Sequence, residues 1–233
     1  MKLISFPKIN IIGCIFIIIL ITQVLFWNVS KEYKPNLSIV PDVPSKLSVK
    51  AFAFGDEEFY FRLLAYRLQN AGDSFGRFTA LKDYNYKKLY NWFSLLDTLD
   101  HKSNYVPSMA SYYYSQTQRT ADVRYIINYL DEHSEHDLRH KWWWMSQAVY
   151  LAGHKLKNQD LALKLAYKLS KTPLNNVPLW VKQMPALIHE QRGEMNEALY
   201  IIQNIIDNAD NISEGELNFM HYFIKERLKK LPK

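Results

Sequence analysis

With 233 residues, 48% of them apolar and only seven glycines, the chain carries enough hydrophobic material for one good-sized packed domain, and disorder is excluded for most of its length. A formal net charge of +6, from 29 Lys and Arg against 23 Asp and Glu, permits an acidic partner or an anionic membrane surface, but no nucleic-acid-binding motif accompanies it and no nucleic acid is expected as a partner. The single cysteine, Cys14, excludes an intrachain disulfide, and apolar spacings of three and four residues point to helix with little or no sheet.

After a short tail of residues 1–8, the stretch INIIGCIFIIILITQVLFW, Ile9 to Trp27, contains no charge and is flanked by Lys8 and Lys31. About 20 such residues are what a helix needs to cross a bilayer. A cleavable signal peptide has a shorter apolar region and a small-residue cleavage site, which FWNVSKEY does not offer. Ile11-Ile12-Gly13-Cys14 superficially resembles a lipoprotein cleavage box, yet most of the apolar run follows the cysteine, where a lipoprotein is already polar. Residues 9–28 are therefore expected to be a transmembrane signal anchor. With so short a tail, and with Lys2 and Lys8 nearly balanced by Lys31 and Lys34, the expected topology has the tail inside and the body outside the cytoplasm. In a bacterium that makes an inner-membrane protein with a periplasmic domain. Residues 29–54, with Pro35, Pro41 and Pro44 and no periodic apolar face, read as an extended linker.

Residues 55–104 read as a helix pair. Asp56, followed by Glu57 and Glu58, starts a helix in which Tyr60, Leu63, Leu64 and Leu68 keep helical spacing until Gly72 stops it. A second segment, Tyr84 to Leu99, carries Leu89, Phe93 and Leu96. The stretch from Gly72 to Phe93 is more aromatic than a short helix pair needs, which makes it a candidate surface for self-association. Pro107, Pro173, Pro178 and Gly193 punctuate the later helices. Ser213 and Glu216 form a capping box before Leu217, Met220, Ile224 and Leu228, so residues 213–233 read as a C-terminal capping helix.

Chemistry is sparse. His133, His136 and His140 would share a face of a continuous helix amid four carboxylates, and imidazole with carboxylate suits zinc or nickel. A polar turn between helices explains the same residues more simply, so neither a metal nor another cofactor is expected. A hydrolase or transferase built on these histidines, with or without a metal, is the alternative to a binding protein. His189-Glu190-Gln191-Arg192-Gly193 begins like a zinc-protease helix, but glycine stands where the second histidine must. With no glycine-rich phosphate loop, no G-x-S-x-G elbow and no cysteine beyond residue 14, the chain is not expected to be an enzyme.

HKWWWMSQAVY, His140 to Tyr150, places three tryptophans about 100° apart around a helix, more than one buried stripe can hold. An internal repeat offers a second covering surface. A shift of 36 residues aligns Trp144 with Trp180, Gln147 with Gln183, Leu151 with Leu187, Ala162 with Ala198 and Leu163 with Leu199. HEQRGEMNEALYIIQ, His189 to Gln203, resembles the turn and second helix of a tetratricopeptide repeat, with Gly193 at the turn glycine, Glu197 and Ala198 at the acidic-alanine pair and Ala186 at the small residue of the first helix. The preceding copy keeps Ala162 but has Lys157 at the turn and Tyr150 at the small position. The resemblance covers Trp143 to Asp210, is fainter from Tyr105 to His136, and frames residues 105–212 as the repeat region.

The resemblance implies an all-α fold of antiparallel helix pairs stacked as a short solenoid, added to the transmembrane helix. It implies that Trp142 and Trp143 are core. It also implies that Trp144, Gln147, Leu151 and His154, with Trp180, Gln183, Leu187 and Glu190, line an inner groove that holds a protein or peptide partner. A C-terminal helix folded back over that groove is the competing arrangement. The expected function is a membrane-anchored adaptor or scaffold, an ancillary subunit of a membrane or envelope complex.

Overall fold

A computed structural model of the protein describes residues 11–33, 38–73, 78–173, 177–208 and 212–228. Among these the secondary structure is helical, with no strand. The chain divides into two compact units, residues 1–38 and 39–233. The tail at 1–8 and the last five residues of the expected C-terminal helix lie outside the described residues.

The first unit contains α1, Ile11–Ser30, which is long and apolar enough to cross a membrane, a property that signal sequences share. None of its residues is buried, and the Thr22 hydroxyl is satisfied by the Ile18 carbonyl at 2.9 Å.

The second unit starts earlier than the prolines suggest. Val40 and Val49 are 2% and 1% exposed, and α2, Lys46–Phe52, is capped by Ser45. Trp92 Nε1 donates to the Pro41 carbonyl at 2.9 Å, and Lys88 pairs with Asp42 at 2.5 Å. The expected linker of 29–54 is thus corrected, because from Ile39 onward it belongs to the folded body. Single anchoring residues pin it without a repeating apolar period, which is why the pattern was silent.

Asp56 caps α3, Glu57–Gln69, by accepting from the Phe59 amide at 2.9 Å. The buried stripe is Phe61, Leu64, Ala65 and Leu68, while Leu63 faces solvent. At the far end Gly72 has φ +89, and a Cβ there would lie 2.1 Å from the Tyr84 hydroxyl oxygen, so both conformation and space require glycine. A 3-10 turn at Leu81–Asp83 leads to α4, Tyr86–Asp97. α5, Tyr105–Ser108, continues as a π-helical stretch, Met109–Tyr113, and a 3-10 turn, Tyr114–Gln116.

The core of this half is built from phenols. Tyr84, Tyr86, Tyr114 and Tyr129 are each at most 1% exposed, packed around Phe93. Their hydroxyls reach groups that helices leave over. Tyr84 donates to the Ala71 carbonyl and Tyr114 to the Leu68 carbonyl, both at the end of α3; Tyr86 donates to the Tyr114 carbonyl and Tyr129 to Asp97. Burial pushes the Tyr86 phenol up to about 12 and raises those of Tyr84, Tyr114 and Tyr129 as well, so all remain donors. The aromatic run expected as a self-association surface is therefore mostly interior, although residues 74–77 lie outside the described residues.

Five longer helices follow: α6, Val123–Glu135; α7, Leu138–Tyr150, prolonged by a π-helical turn, Leu151–Lys155; α8, Gln159–Ser170; α9, Trp180–Gln191; and α10, Met195–Asn208. Each packs on the next, and α6 also packs on α4. α11, Glu214–Tyr222, runs into a last π-helical segment, Phe223–Leu228. Ser213 caps it as expected, accepting from the Glu216 amide at 3.3 Å.

The 36-residue shift is visible in the backbone. Lys157 and Gly193, which it aligns, both take left-handed φ, +58 and +80, and the aligned Ala162 and Ala198 are both fully buried. A lysine in that conformation carries steric strain that glycine avoids. Lys157→Gly is expected to stabilise the body by about 1 kcal/mol, read as a higher urea midpoint; a lower midpoint would mean that the turn is not strained. Tyr114→Phe, which removes one buried donor, should cost about 1–2 kcal/mol in the same experiment.

Candidate binding surface

The three tryptophans go to three different places. Trp144 is 6% exposed, donates from Nε1 to Asn104 Oδ1 at 2.9 Å and meets the Tyr112 ring edge-on at 6.0 Å. Trp142 is half-buried between Trp143 and Trp180, with ring centroids at 5.7 and 5.5 Å. Trp143 is 41% exposed and donates to the Tyr112 hydroxyl at 2.8 Å. The expected register is thus reversed for two of them, with Trp144 in the core and Trp143 outside. What turns Trp144 inward is the segment from Asn104 to Tyr112, which is distant in sequence and supplies both a hydrogen-bond acceptor and a ring.

The eight residues expected to line one groove do not form an open one. Leu151 is buried with Trp144, Gln147 is half-buried, and His154 is exposed with its ring against Tyr150. In the second copy Gln183 is buried at 1% exposure and its Nε2 has no hydrogen-bond partner among the described residues. Trp180 leans on Trp142, and Leu187 packs against the cluster of Leu179, Ala186, Ala198, Ile202, Met220 and Phe223. Glu190 takes both guanidinium contacts from Arg227, at 2.7 and 2.5 Å. The C-terminal helical segment therefore reaches Leu187 and Glu190, whereas the tryptophans that the competing arrangement had it cover are met by other elements, Trp144 by Asn104 and Tyr112 and Trp180 by Trp142.

The histidines do not converge either. His133 is buried, its Nδ1 2.5 Å from Asp97 Oδ2, while His136 and His140 are exposed, and His140 pairs with Asp137 at 2.8 Å. The helix breaks between α6 and α7, so the common face that the spacing promised does not exist. Among the described residues no group of three His, Cys, Asp or Glu could hold a metal ion. Lys141, 7% exposed, spans the break by donating to the His133 carbonyl at 3.1 Å.

A carboxylate–imidazole–phenol chain is present where the zinc-protease motif failed. Glu194 Oε2 lies 2.6 Å from His189 Nδ1, and His189 Nε2 lies 2.8 Å from the Tyr167 hydroxyl. Arg192 binds the other Glu194 oxygen at 2.9 Å. His189 is 6% exposed and both its nitrogens are engaged, so the chain ties α8 to the α9–α10 turn. The His189 hydrogen bond, with help from Arg192, holds the Glu194 carboxyl below its ordinary value.

A different surface is open. Two hollows meet at Tyr105. One, of about 530 Å³, is lined by Phe61, Arg62, Asp100, Lys102 and Ser103; the other, of about 430 Å³, by Gln69, Asn70, Asp73, Ser108, Tyr112 and Tyr113. One wall is α3, through Arg62 and Gln69 at i and i+7, together with Asn70 and Asp73 just past its end. The other is the π-helical stretch, whose extra residue per turn leaves Tyr112 and Tyr113 outside while Tyr114 enters the core. Tyr105 donates to Gln69 Oε1, and burial together with the nearby Tyr66 pushes its phenol up, keeping it a donor. Trp143 donates to the hydroxyl of Tyr112, one of the lining residues. The sequence signal for this surface is YYY at Tyr112 to Tyr114, which lies outside the 36-residue echo.

Because the Glu194 carboxyl is lowered in the folded state, its contribution is present above pH 4.5 and lost as pH falls through and below that value. Glu194→Gln should therefore flatten the acid limb of the stability-against-pH curve, measured by thermal melts from pH 6 down to about 3; an unchanged limb would remove Glu194 from the acid response. No protein-family model matches the sequence, and no curated protein or solved structure matches it either.

Proposed function

We propose that the protein is a membrane-anchored helical scaffold that holds a segment of another protein in the groove past Tyr105. The observation that carries this reading is the pair of joined hollows with Tyr105, Tyr112 and Tyr113 each 42–51% exposed along them. Rigid aromatic anchors with few rotatable bonds supply contact area at low entropic cost. Side-chain amides of Gln69 and Asn70 suit the main chain of an extended segment; Arg62, Lys102 and Asp100 give one end of the groove both signs of charge, and Asp73 stands at the other.

The aligned left-handed turns at Lys157 and Gly193 support a tetratricopeptide-like stack, with α7–α8 and α9–α10 as successive pairs and α11 as its polar cap. α1 serves as the anchor in this reading, with the tail in the cytoplasm and the body in the periplasm of a bacterium, attached to a membrane or envelope complex. No step of this function asks for a catalytic group or a cofactor.

A photo-reactive amino acid placed at Tyr113 in the full-length protein in its own membrane should give one dominant adduct, and the same group at Tyr200, 69% exposed on α10, should not. Tyr105→Ala in the Tyr113-labelled protein should weaken capture by roughly thirtyfold, the loss expected of a central aromatic anchor of about 2 kcal/mol. The same adducts from both positions, or capture indifferent to Tyr105, would sink the groove.

A further inference from the structure

The turn between α2 and α3 carries a concentration of uncovered aromatic surface. Phe52 is 62% exposed, Phe54 90% and Phe59 64%, with Leu47 at 80% and Leu63 at 50% beside them. Phe59, Leu63 and Tyr66 form a stripe at i, i+4 and i+7 on the solvent side of α3, opposite the buried stripe of Phe61, Leu64, Ala65 and Leu68. Phe54 stands at φ +50, immediately before Gly55 at φ +88. A bulky residue is a genuine outlier in that region, and nothing in the core rewards it, because the side chain points away from the body. Strain retained at an exposed apolar tip marks a site held for contact with something else.

We propose that this something is a lipid bilayer, and that the α2–α3 turn sets Phe52, Phe54 and Phe59 into its headgroup region. The proposal rests on reading α1 as a membrane anchor. Residues 31–38, eight in all, separate the end of α1 from Ile39, a length that spans only about 28 Å when fully extended. A body on so short a tether always has the membrane surface within reach, so even shallow insertion of three rings is favoured by a high effective concentration. The nearby charges balance, with Lys46, Lys50 and Arg62 against Asp56, Glu57 and Glu58. Asp56 is engaged as the cap of α3 and Glu58 is paired with Arg62, while α2 presents Lys46 and Lys50. A docked tip would hold the outward face of α3, and with it the groove at Tyr105, in a constant attitude to the membrane.

The test uses the full chain with Cys14→Ser, in vesicles of phosphatidylcholine with phosphatidylglycerol. A polarity-sensitive fluorophore is attached to a single cysteine introduced as Ile19→Cys, Phe54→Cys or Tyr200→Cys. Lipids carrying a quencher near the headgroup should dim the label at 54 several-fold, deep quenchers should dim the label at 19, and neither should dim the label at 200. If the label at 19 escapes quenching, the anchor fails and this proposal with it. If 19 is quenched and 54 is not, the docking tip fails alone; a label at 54 that is shielded from water but indifferent to lipid quenchers, and that responds to protein concentration, assigns the tip to a second copy of the chain instead. A further variant separates docking from folding. Phe54→Gly should raise the thermal midpoint by relieving the strained φ, yet lower the quenching of a label introduced at Phe59→Cys; unchanged quenching there would overturn the role of Phe54.

Discussion

The structure turns on Tyr114. Its ring is buried against Tyr84 and Phe93, its hydroxyl donates to the Leu68 carbonyl at the end of α3, and its own carbonyl accepts from Tyr86 at the start of α4. One residue thereby joins α3, α4 and the irregular segment after α5. Tyr84 likewise donates to the Ala71 carbonyl. Gly72 stands between them because only a residue without a side chain leaves room for the Tyr84 hydroxyl.

Placing Tyr114 inward has a consequence for the surface. The π-helical turn that delivers it widens the local helix, so Tyr112 and Tyr113 fall outside and become the lining of the groove at Tyr105. Core and candidate site are thus two outcomes of one backbone irregularity. The same segment supplies Asn104 and Tyr112 to the tryptophans of α7, drawing Trp144 in and leaving Trp143 beside the groove. An aromatic content of 15% is in this way shared between packing and display.

The other end of the body is closed differently. α11 and the segment after it cover the apolar edge of α9 and α10 with Met220, Phe223 and Leu228, and Arg227 reaches Glu190. An array of packed helices needs such an end piece, because its last pair has no neighbour to bury its outer face. Had this segment been absent, Leu187 and Glu190 would have looked like part of a groove, which is how their spacing reads in one dimension.

The local features were legible in the sequence. Asp56 and Ser213 as caps, Gly72 and Gly193 as stops and the apolar α1 each depend on neighbours within a few turns, and each is found where it was read; of the 36-residue echo the backbone keeps the left-handed turns at Lys157 and Gly193 and the buried Ala162 and Ala198. Tertiary structure decided which side chain faced where, because Trp144 and His133 were placed by partners 40 and 36 residues away. It also recruited Val40 and Val49, which no periodicity announced. Side-chain direction on a helix follows from the phase of the whole surface that covers it, and that phase is set by contacts that a linear pattern does not contain.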